Sequence, residues 1–311
     1  MKPSDGFPAF LTAAVRAALT AEVETTPKPG LVDLHDNGSH RDMDCGTFRK
    51  SAAAISPFLG EMGEIGREWG GSLPELFGRI RPVGVRAEDA MFAATGGVNT
   101  HKGAIFSLGI LSAAAGYCFQ KRGRFLPEEI LSAAGKMVRE AMERDFSAMD
   151  LSAPSTHGER LYARYGCRGI RGEAADGFPS IRDVALPVMR DGLQNHREIN
   201  RIRLQVLLSL MAAVEDTNIL IRSDMETLEW ARRQAADFLR EGGAYKADGP
   251  DRLAAMNRAF VEKNISPGGC ADLLAGTIFL TLLEQAVPSG ERADPTGRHE
   301  TGSPLSPSVD L

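Results

Sequence analysis

The sequence predicts an all-α protein, a single-domain multi-helix bundle in which glycine-rich loops form one cleft. Three observations carry this. Apolar residues recur at helical spacing in one stretch after another. Alternating apolar and polar runs of strand length are almost absent. Ala and Leu outnumber Val and Ile, and aromatic residues make up only 6% of the chain. The 311 residues are enough to bury a sizeable core, and 43% hydrophobic with 25% charged residues is ordinary for a soluble globular protein.

The first helix is predicted over about residues 8–24, where Phe10, Leu11, Ala14, Val15, Ala18 and Leu19 follow i, i+3/i+4, i+7/i+8 spacing. Further helices are predicted at about 46–60, 86–95, 102–120, 127–145, 198–221, 224–241, 250–262 and 269–286. Pro127 followed by Glu128 and Glu129 marks a start, with proline in the first turn and acids at the positive dipole end. The connectors 25–44, 95–102, 152–178 and 264–272 are polar and glycine-rich. Segments 25–45 and 165–187 leave room for a small sheet. Without an internal repeat or linker, residues 1–286 read as one catalytic domain. Residues 287–311, rich in Pro, Ser and Gly and without apolar periodicity, read as a disordered tail.

A net charge of −5 argues against a basic surface for nucleic acid, so any polyanionic ligand must be held by locally placed cations. Cys45, Cys118, Cys167 and Cys270 are far apart and show no zinc-like spacing, which suits reduced thiols in the cytoplasm. No basic leader precedes an apolar run and no 18 apolar residues follow one another, so neither secretion nor a membrane is expected.

Five constellations carry groups suited to chemistry. Residues 95–109 place Gly96, Gly97, Asn99, Thr100, His101 and Lys102 ahead of an apolar helix. Glycines, free N–H groups and a positive helix end together suit an anion such as phosphate, although the spacing is not that of a Walker A loop. A glycine turn that merely opens a core helix is the plain alternative. Residues 26–44 hold Lys28 between two prolines, then Asp33, Asp36, His40, Arg41 and Asp42. The acids suit Mg²⁺ and the cations suit phosphate oxygens. A solvated turn whose Asp and Asn side chains bond their own backbone accounts for the same residues.

Glu88 lies one helical length before the glycine run and is either turned to the site or a surface carboxylate. Arg168, Arg171 and Glu173 form a phosphate cradle or a surface loop with compensating pairs. Asp216, beside Asn218 and Arg222, needs a partner or a metal if buried. Asp272 follows a second glycine turn, where a bare helix cap is an equal explanation. Cys270 lacks a partner base and reads as inert.

Together these runs resemble the triphosphoribosyl-dephospho-coenzyme A synthases. The resemblance rests on Thr26-Pro-Lys-Pro-Gly-Leu-Val-Asp33, Asn37-Gly-Ser-His-Arg-Asp-Met43, Thr95-Gly-Gly-Val-Asn-Thr-His-Lys-Gly-Ala-Ile-Phe-Ser-Leu-Gly109, Ser155-Thr-His-Gly-Glu159, Arg171-Gly-Glu-Ala174, Asp216-Thr-Asn-Ile-Leu220 and Ser266-Pro-Gly-Gly-Cys-Ala-Asp272. Gly30, where relatives serving malonate decarboxylase tend to carry alanine, favours the citrate-lyase branch. The resemblance implies that the 2′-hydroxyl of 3′-dephospho-CoA attacks C1′ of ATP, adenine leaves, and a holo-ACP-type transferase takes the product.

Such chemistry asks for an acid at the leaving adenine, a carboxylate beside an oxocarbenium-like centre, and Mg²⁺ with cations for about four negative charges. On this basis Mg²⁺ is expected on some of Asp33, Asp36, Glu88, Asp216 and Asp272. The triphosphate is expected on Lys28, Arg41, Lys102, Arg168, Arg171 and the Gly96–Gly97 backbone, with Asn99 and Thr100 beside it. His40 or His101 is expected to handle a proton, with Asp42 or Glu173 as the alternatives. The expected outcome is one cationic, metal-assisted cleft. Another Mg²⁺-dependent nucleotide hydrolase or kinase on the same helical frame is the rival reading.

Overall fold

The computed structural model describes residues 6–286, so the tail predicted over 287–311 lies outside the described residues. Thirteen α-helices follow one another: α1 (Phe7–Val23), α2 (Cys45–Glu68), α3 (Leu73–Thr95), α4 (Lys102–Arg122), α5 (Pro127–Ser147), α6 (His157–Tyr165), α7 (Gly169–Ala175), α8 (Leu186–Gln194), α9 (Ile199–Ala213), α10 (Thr217–Arg222), α11 (Met225–Arg240), α12 (Gly249–Glu262) and α13 (Gly268–Gln285). The all-α prediction holds. No strand occurs among the described residues, so neither segment considered for a small sheet forms one.

Six of these helices, α1, α4, α5, α11, α12 and α13, fall within two residues of the predicted bounds. The others differ for identifiable reasons. α2 runs to Glu68 because its glycines are contact points, not breaks. A Cβ on Gly66 would stand 2.0 Å from Ala113 O, and one on Gly116 would stand 1.9 Å from Gly63 O. α2 and α4 therefore approach backbone to backbone, closer than any Cβ allows. α3 starts well before residue 86, at a cap where the Ser72 N–H and hydroxyl both donate to the Glu75 carboxylate.

The predicted connector 152–178 contains α6 and α7, and a π-helical turn at Ser180–Ala185 leads into α8. The helix predicted over 198–221 is two helices. It breaks after Ala213, and Asp216 starts α10 by accepting the Asn218 N–H at 2.9 Å.

α4 and α13 form the centre of the core. Leu108, Leu111, Ala113 and Ala114 of α4, and Leu274, Phe279 and Leu280 of α13, have no exposed surface. α4 is the one helix among the described residues long and apolar enough to cross a membrane, but 72% of that apolar window is buried inside the protein. Its composition is that of a core helix packed on α2, α5 and α13. The arrangement brings the N-termini of α4 and α13 together at one end of the molecule.

Candidate active site

A cavity of about 770 Å³ opens where α4, α10 and α13 begin. The positive dipole ends of three helices therefore meet at one space, an arrangement that favours an anion. The loop before α2 closes one side. Gly30 has φ +72, and a Cβ there would stand 2.3 Å from Ile265 O, so only glycine lets this loop lie against the α12–α13 connector. Asn257 Oδ1 accepts the Gly30 N–H at 2.8 Å, and the Ser39 hydroxyl donates to Ile265 O at 2.6 Å.

The cavity is not the cationic cleft expected from sequence. Four Lys or Arg side chains and six Asp or Glu side chains line it. Three of the four cations already have partners: Lys28 with Glu22, Lys102 with Glu88 at 2.9 Å, and Arg168 with Asp176 at 3.0 Å. Arg222 is engaged with the Ser39 carbonyl at 3.0 Å.

Lys28 shows most clearly how tertiary packing overrides a motif. It is 1% exposed, and its ammonium donates to both the carbonyl and the carboxylate of Glu22. Glu22 sits on the buried face of α1, and burial raises its carboxyl despite the neighbouring ammonium. Lys28 thus lines the cavity as half of a buried ion pair, not as the free phosphate-binding cation expected.

Asp33 and Asp36 are turn-formers, as the plain reading of their segment allowed. Asp33 accepts the backbone N–H groups of Lys28, His35 and Asp36 at 2.8–3.0 Å, and Asp36 accepts that of Gly38 at 2.5 Å. Neither lines the cavity, nor do Arg41 and Asp42, which are exposed. Arg171 is exposed on α7 and also lies outside it. Gly96 is the left-handed C-cap of α3, and the Gly97 N–H bonds Phe92 O at 2.8 Å. These glycines end a helix and do not reach the cavity wall. Glu88 stands at the rim through Lys102.

The remaining expected residues do converge. Asn99, Thr100, His101, Lys102, Arg168, Glu173, His40, Asp216 and Asp272 all line the cavity with Lys28. Asn99 Oδ1 accepts the Lys102 N–H at 3.2 Å, which caps α4. Asp216 is buried and caps two helices at once, accepting from Asn218 N at 2.9 Å and Cys270 N at 2.8 Å. Burial outweighs these bonds and raises its carboxyl. Asp272 is raised well above the carboxylate range, first by burial, then by Glu22 and Asp216. Cys270 is likewise pushed well up by burial and by Asp216, so its thiol is unreactive.

Both histidines are held uncharged. His40 Nε2 lies 2.8 Å from Ser266 Oγ, and Arg222 approaches Nδ1 at 3.3 Å; burial and that guanidinium lower its pKa. His101 is lowered to about 3 by burial and by Lys28. Glu173 instead is raised by burial, while the Ser180 N–H and hydroxyl donate to it at 2.8 and 3.1 Å.

Among the described residues no three His, Cys, Asp or Glu side chains gather into a metal-holding group. A closed all-protein cage is therefore not formed among them, and of the five carboxylates among which the metal ligands were expected only Asp216 and Asp272 line the cavity. Asp216 and Asp272 nevertheless fit Mg²⁺. Neither has a cationic partner among the described ion pairs, burial raises the carboxyl of each, and both line the cavity. Mg²⁺ at nucleotides is commonly held by one or two carboxylates, with phosphate oxygens and water completing its shell.

The family model for ATP:dephospho-CoA triphosphoribosyl transferase matches residues 8–290. The chain belongs to that family. A 2-(5''-triphosphoribosyl)-3'-dephosphocoenzyme-A synthase of Escherichia fergusonii is 38% identical over 278 residues, covering 89% of this chain and 90% of the relative. Two proteins named "Probable 2-(5''-triphosphoribosyl)-3'-dephosphocoenzyme-A synthase" are also similar. That of Streptococcus mutans serotype c is 38% identical, covering 87% of this chain and 95% of its own. That of Malonomonas rubra is 37% identical, covering 87% and 86%. No solved structure matches the chain significantly.

The cavity of this triphosphoribosyl transferase family member has wall residues, and residues bonded to them, that its motifs did not announce. Glu22 is one, and its only sequence signal is a carboxylate on the apolar stripe of α1, one turn after Ala18. Ser51 is another. It reads as an ordinary helical serine, yet it is fully buried against His101. Ser180, which fixes Glu173, falls in a segment where no helix was predicted.

Proposed function

We propose that the cavity binds ATP with Mg²⁺ and transfers its 5-triphosphoribosyl group to the 2′-hydroxyl of 3′-dephospho-CoA. One observation carries this reading: three helix N-termini and two buried carboxylates without a cationic partner among the described ion pairs, Asp216 and Asp272, meet in a single cavity. The formal excess of carboxylates along the wall would repel a bare triphosphate, so a divalent cation must accompany it. When bound, Mg²⁺ would neutralise phosphate oxygens. Asp216 and Asp272 are the residues that would hold it.

The protein's own groups then divide the work. The N-terminus of α4, Lys102 and Arg168 receive the triphosphate. The C1′–N9 bond breaks as the C1′–O2′ bond forms, and the proton lost by the hydroxyl equals the one adenine takes up. His40 and His101 are held uncharged, and Asp42 lies outside the cavity. Glu173, whose burial keeps the carboxyl protonated to higher pH, is the group we assign to protonate the departing adenine. Asp272 or Asp216 stands where an oxocarbenium-like centre gains from a carboxylate.

We further place the product on the path to the prosthetic group of citrate lyase, handed on by a holo-ACP-type transferase, and place the protein in the cytoplasm. Support comes from the Gly30-bearing motif and from four cysteines that are all free thiols. Malonate decarboxylase is the competing destination. Incubation with ATP, Mg²⁺ and dephospho-CoA, with products resolved by mass, tests the reaction. Free adenine and a triphosphoribosyl adduct are expected. ADP and phosphate would instead mark a phosphoryl-transfer enzyme and refute the proposal.

A further inference from the structure

Ser51 lies on the inward face of α2 with no exposed surface. Its hydroxyl oxygen stands 2.7 Å from His101 Nδ1 and 2.7 Å from Thr100 Oγ1. Thr100 donates to Ser51. The Ser51 proton then has His101 Nδ1 as its acceptor, and an imidazole that accepts at Nδ1 carries its proton on Nε2. Phe48 meets the ring edge-on, with centroids 5.0 Å apart and planes at 86°, and this limits rotation. The backbone N–H of His101 also donates to Met91 Sδ at 3.2 Å.

The other nitrogen is conspicuous. His101 is 3% exposed, and its Nε2 is buried with no hydrogen-bond partner in the protein. A buried donor left without a partner is destabilising. The same residue lines the cavity at the start of α4, beside Lys102 and Gly103. The buried Ser51 hydroxyl, backed by the half-buried Thr100 hydroxyl, therefore fixes the orientation of a ring whose Nε2 has nothing of the protein to bond.

We propose that Ser51 is a positioning residue: it holds His101 in the Nε2-protonated tautomer, so that this N–H donates to an acceptor atom of the nucleotide bound in the cavity. The identity of the ligand rests on the ATP reading above; the tautomer and its control by Ser51 do not. Because the ring is uncharged, its contribution is a fixed dipole and not a proton. A fixed donor needs no reorganisation when charge shifts in the ligand. Acceptors of this class occur at both ends of ATP, as purine ring nitrogens and as phosphate oxygens.

Two-bond ¹H–¹⁵N spectra of protein labelled at histidine nitrogen read the tautomer directly, with the His101 signals identified by their loss in His101→Gln. The wild type is expected to show the Nε2–H form. Ser51→Ala is expected to shift His101 toward the Nδ1–H form and to lower kcat for adenine release by roughly tenfold or more, the scale on which partners that orient an imidazole act. KM for ATP should change little. If Ser51→Ala fails to fold, Ser51→Cys keeps the volume with a weaker donor and serves the same comparison. MgATP, tripolyphosphate and adenine, added separately, should move the Nε2 resonance according to which end of the nucleotide supplies the acceptor. An Nδ1–H tautomer in the wild type overturns the inference, as does a tautomer indifferent to Ser51 or a resonance that none of the three ligands moves. A protein that shows the tautomer and the ligand shift but releases no adenine would refute the transferase reading alone.

Discussion

The Asp272 carboxylate lies directly over the backbone of Gly103: a Cβ built on that glycine would stand 2.1 Å from Asp272 Oδ2. α4 and α13 meet near their N-termini through this contact, so the glycine-run motif and the Ser-Pro-Gly-Gly motif, far apart in sequence, become one wall of one cavity. Gly269 is related to Asp216 in a similar way, with 3.0 Å from its would-be Cβ to Asp216 Oδ1. Two carboxylates are each seated on a glycine.

Gly103→Ala is expected to push the Asp272 carboxylate away from this seat. Adenine release should fall by about tenfold or more, since a misplacement of 1 Å at a site has consequences of that order. Gly269→Ala, with a less severe contact, should cost less. Steady-state assays at saturating and limiting Mg²⁺ check the order, and the deficit of Gly103→Ala should shrink as Mg²⁺ is raised.

Asp272→Asn removes a buried carboxyl whose charged form is disfavoured first by burial and then by Glu22 and Asp216. Without metal, the variant is expected to melt at higher temperature than the wild type. Its Mg²⁺-induced rise in Tm should largely disappear. Thermal melts with and without Mg²⁺ separate the two effects, and an undiminished Mg²⁺ response would show that Asp272 is not a ligand.

Lys28→Met is expected to act on stability before it acts on catalysis. Removing one member of a buried ion pair leaves the other charge uncompensated, at a cost of about 3–5 kcal/mol. Glu22→Gln combined with Lys28→Met should recover much of that loss. Urea unfolding of the two single variants and the double variant measures the coupling. Arg171→Ala, exposed and off the cavity wall, should leave adenine release within about twofold of the wild type, as surface substitutions generally do.

The pH dependence of stability has two components of opposite sign. His101 is lowered from 6.5 to about 3 in the folded protein, so between those values the unfolded chain binds more protons. Stability should therefore fall as pH drops below about 6.5, by up to about 1.4 kcal/mol per pH unit for this residue. Glu22, Asp216 and Asp272 are raised, so the folded state binds more protons above the ordinary carboxylate range. Their contribution is lost as pH rises through their folded values. Urea unfolding across pH should show an acid limb that Mg²⁺ leaves alone and a rising-pH limb that Mg²⁺ suppresses.

Helix class and most helix bounds are local properties and were legible in the chain. Periodicity marks α1 because Leu11, Val15, Ala18 and Leu19 share one face, and Pro127 with its two glutamates marks the start of α5. The motif runs were legible too, since residue types around glycine turns depend on sequence alone. Where local signals compete with packing, the reading failed. Gly60, Gly63 and Gly66 look like helix breakers, yet Gly60 and Gly63 let α2 pass against α1 and Gly66 lets it pass against α4. The start of α3 and the π-helical entrance to α8 lacked a signal strong enough to see.

Residue chemistry and sequence order determine which groups this protein has available; only packing decides which of them share a low-dielectric space. Lys28 and Asp33 sit in one motif, yet one turns to Glu22 and the other to backbone N–H groups. Asp216 and Asp272 come from separate motifs and are made neighbours by the convergence of α10 and α13. Charge state followed the same logic: His101 is an ordinary histidine in the sequence and an uncharged donor once α2 has buried it against Ser51. Interactions between side chains distant in sequence fall steeply with separation and rise with burial, and both quantities are set by how the helices stack.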